Sequence, residues 1–380
     1  MLFTNNLLIL EVSKVIARES AYEYDILRKD IFDILALLDN GVITSGKVVL
    51  IKPNLLRASP VEQAITTHPL IIRFVAEYVL EKGARPLVMD SPAIGKFSKI
   101  VKDTGLVDAL KGLDITLEEF TASVRIDSHG SAKDVDDLQF KETELAQEAL
   151  QADCIINLPK LKTHTQMGLT LAVKNLFGCV VGLRKPEWHL KIGENRDKFA
   201  ELLISIYRRL RPTINILDGI LALEGNGPGT GGIPRQLGVL IAANDAVDVD
   251  VAVCQMLDLH PEWLPTNRVA KRLGLIKDIS IDGRIKKVKG FVLPNSTSLV
   301  FGPSFARKFI RQNLTSSPVS DKKLCKLCNE CVNICPAKAI TNNGKTLHFD
   351  YDKCIRCYCC SEVCPHSAIK VQRPLLRRFF

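Results

Sequence analysis

Two cysteine runs near the C-terminus constrain this chain more than any other feature. Residues 325–336 read Cys-Lys-Leu-Cys-Asn-Glu-Cys-Val-Asn-Ile-Cys-Pro, and residues 354–365 read Cys-Ile-Arg-Cys-Tyr-Cys-Cys-Ser-Glu-Val-Cys-Pro. Each contains the spacing C-x2-C-x2-C-x3-C-P. Three thiolates at that spacing wrap one face of an iron–sulfur cubane, and the fourth, followed by proline, turns away to reach the other cluster. On that rule Cys325, Cys328, Cys331 and Cys364 are expected to hold one [4Fe–4S] cluster, and Cys354, Cys357, Cys360 and Cys335 a second. A zinc site would want two Cys-x2-Cys pairs, without the trailing proline.

The two runs are an internal repeat. Cys354 follows Cys325 by 29 positions (354 − 325), and every later ligand keeps that offset. Ala339-Ile340 after the first run matches Ala368-Ile369 after the second. A cysteine loop and short helix, duplicated, build a pseudo-twofold core. Residues 320–372 thus resemble the bacterial-type two-cluster ferredoxins, which implies a small C-terminal α+β domain. Cys359 departs from the pattern: it sits beside Cys360, fits no ligand slot and reads as a spare thiol.

Composition narrows the rest. A length of 380 residues suits two or three domains, and 46% hydrophobic with 24% charged residues is ordinary for a globular chain. Nine of the twelve cysteines fall between 325 and 364, which reserves thiolates for iron and points to a reducing cytoplasm. The formal charge of +9 falls to about +5 (9 − 4) once two clusters add about −4. That balance, with no basic run interleaved with aromatics, argues against a nucleic-acid partner. The start lacks a basic n-region and a small-residue cleavage site, so no signal peptide is expected. No stretch of about 18 uncharged apolar residues occurs, so no membrane span is expected either.

Upstream of the cysteines, short apolar runs alternate with helical periodicity. Strands are expected at 7–16, 47–51, 86–90, 153–158, 213–217 and 238–242. Helices are expected at 21–38, 69–82, 98–111, 144–151, 168–178, 197–210 and from 245 to 256. The segment 114–142 is charged and irregular. The alternation predicts an α/β domain over 1–295, a largely parallel sheet with helices on both faces. A Pro-rich linker, 296–320, with a basic helix near 304–313, leads to the cluster domain at 321–372 and a basic, aromatic tail at 373–380.

Ligands of parallel α/β sheets bind beyond the carboxyl ends of the strands. Here those ends are polar: Lys52 and Asn54, Asp90 and Ser91, Lys160 to His164, Asp218, Asn244 and Asp245. Lys160, Lys162 and His164 form the densest group and suit an anionic or carbonyl substrate. His164 is a candidate proton donor, or a helix cap. Lys174, inside an apolar helix, either snorkels or points into the cleft. Asp218 orients a lysine, ligates a metal, or makes a turn with Gly219. The catalytic candidates are therefore Lys160, His164, Lys174 and Asp218; the substrate-binding candidates are Lys52, Asn54, Asp90, Lys162, Thr163 and Asn175. The glycine-rich loop 225–232 contains Gly227, Gly229 and Gly232 in GxGxxG spacing, but a strand follows instead of a helix. It reads as an ordered loop that shapes a ligand site. No NAD, flavin or ATP signature is present.

Lys52-Pro-Asn54, the stretch from Cys154 to His164, Thr170 to Gly178, and Asp218-Gly-Ile with Glu224-Gly-Asn-Gly-Pro-Gly together resemble the "domain of unknown function 362" family over about residues 7–260. The resemblance implies an α/β domain fused to a two-cluster ferredoxin module, in iron–sulfur proteins of anaerobic prokaryotes, some with suspected reductase roles. It assigns no role to individual α/β residues. A non-redox enzyme whose clusters only stabilise the fold would need one cluster, not two, which leaves two competing functions. In one, an oxidoreductase passes electrons between the clusters and a small anionic substrate in the cleft. In the other, an electron carrier's α/β domain docks a redox partner protein.

Overall fold

The computed structural model describes residues 12–92, 95–127, 140, 142–182, 184–295 and 315–372. The α/β domain begins with β1 (Ser13–Glu19), α1 (Tyr24–Leu38), β2 (Val48–Lys52), α2 (Pro69–Glu81) and β3 (Arg85–Asp90). Next come α3 (Phe97–Asp103), α4 (Leu106–Ala109), β4 (Thr116–Glu119), the hairpin β5 (Ser123–Asp127) and β6 (Glu142–Ala146), and α5 (Gln147–Gln151). The middle holds β7 (Cys154–Asn157), β8 (Lys160–His164), β9 (Gly168–Thr170), α6 (Ala172–Asn175), α7 (Arg184–Ile192) and α8 (Arg196–Leu210). It closes with β10 (Ile214–Gly225), β11 (Gly232–Ala243), α9 (Ala246–Met256), α10 (Pro265–Arg272) and β12 (Ile279–Gly283).

The main sheet has strand order β12-β1-β11-β10-β7-β2-β3-β4, with β8 on β10 and β9 on β8. β10, β7, β2, β3 and β4 run parallel; β11 and β9 are antiparallel to their neighbours. Alternate side chains go to opposite faces. Val49, Ile51, Ile156 and Ile216 pack with Leu27, Ile31, Ile72 and Val75 of α1 and α2. Leu50, Ile155, Leu217 and Ile241 pack on the other face with Phe199, Leu203, Val249 and Val253 of α8 and α9. Each such fully buried aliphatic side chain contributes about 1.5–3 kcal/mol, which is why uninterrupted apolar strands suit this double-sided layer.

Several expectations need correction. The first strand runs 13–19 instead of 7–16, and residues 1–11 lie outside the described residues. Lys160–His164 is not the polar end of the preceding strand but a buried strand of its own, β8, whose Lys160 pairs with Asp218 of β10. The expected helix 168–178 opens as strand β9. Gly168, at φ 84°, turns the chain so that it pairs opposite His164, and only then do α6 and a 3-10 turn follow. The irregular 114–142 contains edge strand β4 and the β5–β6 hairpin. The expected basic helix at 304–313 and the tail 373–380 lie outside the described residues.

The small module comprises β13 (Ser317–Ser320), α11 (Glu330–Asn333), β14 (Ile340–Asn342), β15 (Leu347–Phe349), α12 (Cys359–Val363) and β16 (Ile369–Gln372). The expected linker thus gives its last four residues, Ser317–Ser320, to this module's sheet. β13 pairs with β16 and β14 with β15, the exchange that a pseudo-twofold requires. The repeat also governs the backbone. Left-handed φ values occur in matched pairs: Leu327 and Arg356, Asn329 and Tyr358, Lys338 and Ser367. Asp321 N–H donates to Ala368 O, and Asp350 N–H donates to Ala339 O, each crossing to the other repeat. No helix among the described residues is long and apolar enough to cross a membrane.

Candidate functional site

Asn244 and Asp245 lie apart, Asn244 donating to Leu38 O and Thr213 O and Asp245 capping α9, and the other strand-end residues fall into two groups. The first is closed. Lys160 Nζ donates to Asp218 Oδ2 at 2.7 Å and to the Tyr22 hydroxyl at 2.9 Å. Asp218 also accepts from Tyr22 at 2.6 Å and from His68 N–H at 3.0 Å, while the Tyr22 ring stacks on His68. Burial lowers the Lys160 pKa and the Asp218 charge opposes that shift. None of these four residues lines the cavity that the second group forms. Thr163 is likewise occupied: its hydroxyl accepts from Gly227 N–H and fixes the glycine-rich loop to β8.

A ladder of asparagine amides links the second group to the sheet. Asn54 donates to Asn175, Asn175 to Asn157, and Asn157 to Asn215, each at 2.8–2.9 Å. Asn54 Oδ1 accepts from Lys162 Nζ at 2.8 Å, and Ile65 O accepts from the same ammonium at 2.7 Å. Beside them Lys52 and Asp90 form an ion pair of 2.7 Å, 0% and 5% exposed. Asp90 further accepts from Leu55 and Ser91 N–H. Gly178 packs directly on this pair, and a Cβ there would overlap Asp90 Oδ1 and Lys52 Nζ. Gly178→Ala is expected to cost about 1–3 kcal/mol by overpacking, read as a lower midpoint in denaturant unfolding.

Lys52, Asn54, Asp90, Lys162, His164, Lys174 and Asn175 line one cavity of about 230 Å³. Its far wall belongs to the cluster module: Ile334, Cys359, Glu362 and Val363. The module docks through several contacts. His164 Nε2 lies 3.1 Å from Glu362 Oε1, and Nδ1 accepts from Gln166 and Met167 N–H, so the Nε2 proton faces the carboxylate. Arg57 donates to Cys364 O, Thr230 Oγ1 donates to Cys364 O, and Arg356 pairs with Glu194. Gly229 lies so close to the Glu362 backbone that a Cβ would stand 3.1 Å from its carbonyl. The glycine-rich loop therefore seats the cluster module, and only Pro228 of it lines the cavity.

Three lining residues carry no sequence signal. Lys185 and His189 lie on α7, in a stretch without a strand end or motif, and Glu362 reads only as spacer between Cys360 and Cys364. Lys185 Nζ donates to Ser91 O. Burial lowers its pKa to about 8; Asp90 raises it and the Lys52 charge lowers it further. His189 stacks on Phe199, and its Nδ1 has no hydrogen-bond partner among the described residues. Burial, reinforced by the Lys174 charge, brings both His164 and His189 down to about 4, so both are neutral at pH 7. Lys174, also lowered by burial, has no hydrogen-bond partner among the described residues. The sequence alternative that it points into the cleft is the one observed.

The cysteines fit polynuclear clusters. Cys325, Cys328, Cys331 and Cys364 line one small cage, although no group of three or more ligating side chains among the described residues suits a single ion. Cys360 is close enough to Cys357, Cys354 and Cys335, and also to Cys331 of the other run, for their charges to interact. Ala339 N–H donates to Cys335 Sγ and Ala368 N–H to Cys364 Sγ, both at 3.2 Å. Such donors favour the thiolate a cluster requires.

The chain's likenesses agree with this construction. The family model for "Domain of unknown function (DUF362)" matches residues 49–255, and that for a 4Fe-4S dicluster domain matches 317–365. The Thylakoid-associated protein sll1697 of Synechocystis sp. is 37% identical over 260 residues, 68% of this chain and 78% of that protein. Pyruvate synthase subunit PorD of Methanothermobacter marburgensis is 40% identical over 68 residues, 17% of this chain and 80% of its own length. The electron transport protein HydN of Escherichia coli is 34% identical over 62 residues, 16% of this chain and 35% of its own. Among solved structures, the lactate racemase apoprotein of Thermoanaerobacterium thermosaccharolyticum covers 64% of this chain and 57% of its own at 12% identity and a TM-score of 0.38, too slight a likeness to bear on function. The chain belongs to the family described as domain of unknown function (DUF362), here joined to a ferredoxin-type domain that binds 4Fe–4S clusters and gives it an iron–sulfur redox role.

Proposed function

We propose that the protein is an iron–sulfur oxidoreductase that reduces a small anionic substrate in the cavity between its two parts. The observation that carries this reading is the composition of the walls. Buried lysines of the α/β domain face Ile334, Cys359, Glu362 and Val363, each of them next in sequence to Cys335, Cys360 or Cys364 or within two residues of one. In this reading Cys325, Cys328, Cys331 and Cys364 hold one cluster and Cys354, Cys357, Cys360 and Cys335 the other, about eight irons per chain. Bound clusters supply and accept single electrons. A reducing compartment is part of the proposal.

The chain's own residues divide the remaining work. Lys174, which has no hydrogen-bond partner among the described residues, anchors the anionic group, and Lys162, held by Asn54 and pushed well below the usual lysine range by burial, offers N–H donors to the charge that accumulates on reduction. Lys185, near 8, exchanges its proton close to neutral pH and is the better proton source. His164 is neutral and engaged with Glu362, so its part is to hold the two walls together. Lys160 and Asp218 position β8 against β10. Raising the pH through about 8 removes the Lys185 charge, although Asp90 and Glu119 remain nearby, so substrate binding is expected to weaken above pH 8. Lys185→Met should flatten that dependence in a KM series from pH 7 to 9.

The test is anaerobic stopped-flow reoxidation of the reduced protein by a panel of anionic carbonyl and enoate compounds. Wild type should be reoxidised by at least one compound, and Lys174→Met should lose that reaction while keeping its iron and its reduction by dithionite. Equal reoxidation of both proteins would remove the cavity from the chemistry. A carrier role is favoured by one feature, the exposed Cys328. It predicts that no small molecule reoxidises the protein and that Lys174→Met still passes electrons to a partner.

A further inference from the structure

We propose that the surface around the 325–328 loop is the docking face for an acidic one-electron carrier protein. The inference stands whether or not the cavity is catalytic. The two cysteine loops of the module are in unlike surroundings. Cys357, Cys359 and Cys360 of the second are buried, and Cys359 lies at the cavity. In the first, Cys328 is exposed and Cys325 is half-buried. An electron carrier that approaches from solvent meets the first loop.

Lysines outnumber acids at that loop. Lys322, Lys323 and Lys326 are exposed within four positions of Cys325, and Lys345 joins Lys322 and Cys325 around a hollow of about 430 Å³. None of these four ammonium groups has a hydrogen-bond or ion-pair partner among the described residues. Lys29, Lys99 and Lys287, by comparison, pair with Asp33, Asp103 and Asp258. Of the nearby acids, Asp321 accepts from Lys323 N–H and Glu330 is exposed. Leu324, 40% exposed, lies among the lysines. An apolar spot within a charged rim is the usual build of a transient interface. Its sign selects the partner, because complementary potentials steer the encounter and like charges repel it.

The experiment measures binding of a small acidic ferredoxin to the anaerobic, iron-replete full chain by isothermal titration calorimetry. Wild type should bind saturably at low salt, and binding should weaken steeply as about 0.5 M salt shortens the screening length. Lys323→Glu/Lys326→Glu should weaken binding about tenfold or more at low salt and leave iron content and reduction by dithionite unchanged. If reversal beside the cysteines lowers the iron content, Lys322→Gln/Lys345→Gln on the rim of the hollow must still weaken binding by about threefold. Absent binding in wild type, equal affinity of wild type and variants, salt-independent binding, or tighter binding of basic cytochrome c would each overturn the proposal.

Discussion

Cys357→Ser is expected to lose about half of the protein's iron, whereas Cys359→Ser keeps all of it. The two cysteines are two positions apart and both are buried, so exposure does not separate them. The repeat does. Cys357 corresponds to Cys328 across the 29-residue offset (357 − 29), while Cys359 corresponds to Glu330 (359 − 29), which cannot supply a thiolate. The left-handed residues that flank each loop follow the same offset, so the second loop presents its thiols as the first does. Iron and labile sulfide assays on anaerobically purified variants read the outcome. Iron loss in Cys359→Ser, or stoichiometric zinc without sulfide in the wild type, would mean that the ligand register is wrong.

Asp218→Ala is expected to destabilise the α/β domain by about 3–5 kcal/mol, the usual effect of leaving a buried charge without its partner. Lys160 and Asp218 are 2% and 0% exposed at the side chain, and the same carboxylate satisfies the Tyr22 hydroxyl and His68 N–H. All of these lose their acceptor together. Adding Lys160→Met should recover much of the loss, because an apolar side chain of similar size leaves no ammonium to neutralise. Denaturant midpoints of wild type, single and double variants form the test. A single-variant loss below about 1 kcal/mol would show that the pair is solvated and that β8 is held by other means.

What could be read in the sequence follows what is local. The cluster ligands are legible because a cubane dictates their spacing within a dozen residues. α1 and α2 are legible because Leu27, Ile31, Ile34 and Leu35, or Ile71, Ile72, Val75 and Val79, repeat at helical intervals on a buried face. β8 is not legible. Its lysines look like a solvated strand end, and distant partners, among them Asp218, 58 positions on, and Asn54, 108 positions back, make their burial tolerable. Lys52, Asn54, Asp90, Lys162, Lys174 and Asn175 do meet at one cavity, as the strand-end rule suggests. Lys160, Asp218 and Thr163 share its strands yet face sealed contacts. Glu362 and His189 are hidden for another reason: their role depends on how the module docks, which no periodicity encodes.

The measurement closest to the central claim is a crystal structure of the anaerobic holoprotein with the compound that reoxidises it fastest. The account predicts the anionic group within hydrogen-bond distance of Lys174 Nζ, the reducible carbon on the Cys359 side of the cavity, and the Lys52–Asp90 pair undisturbed. A compound bound on the surface of the cluster module, with only water between Lys174 and Cys359, would contradict it.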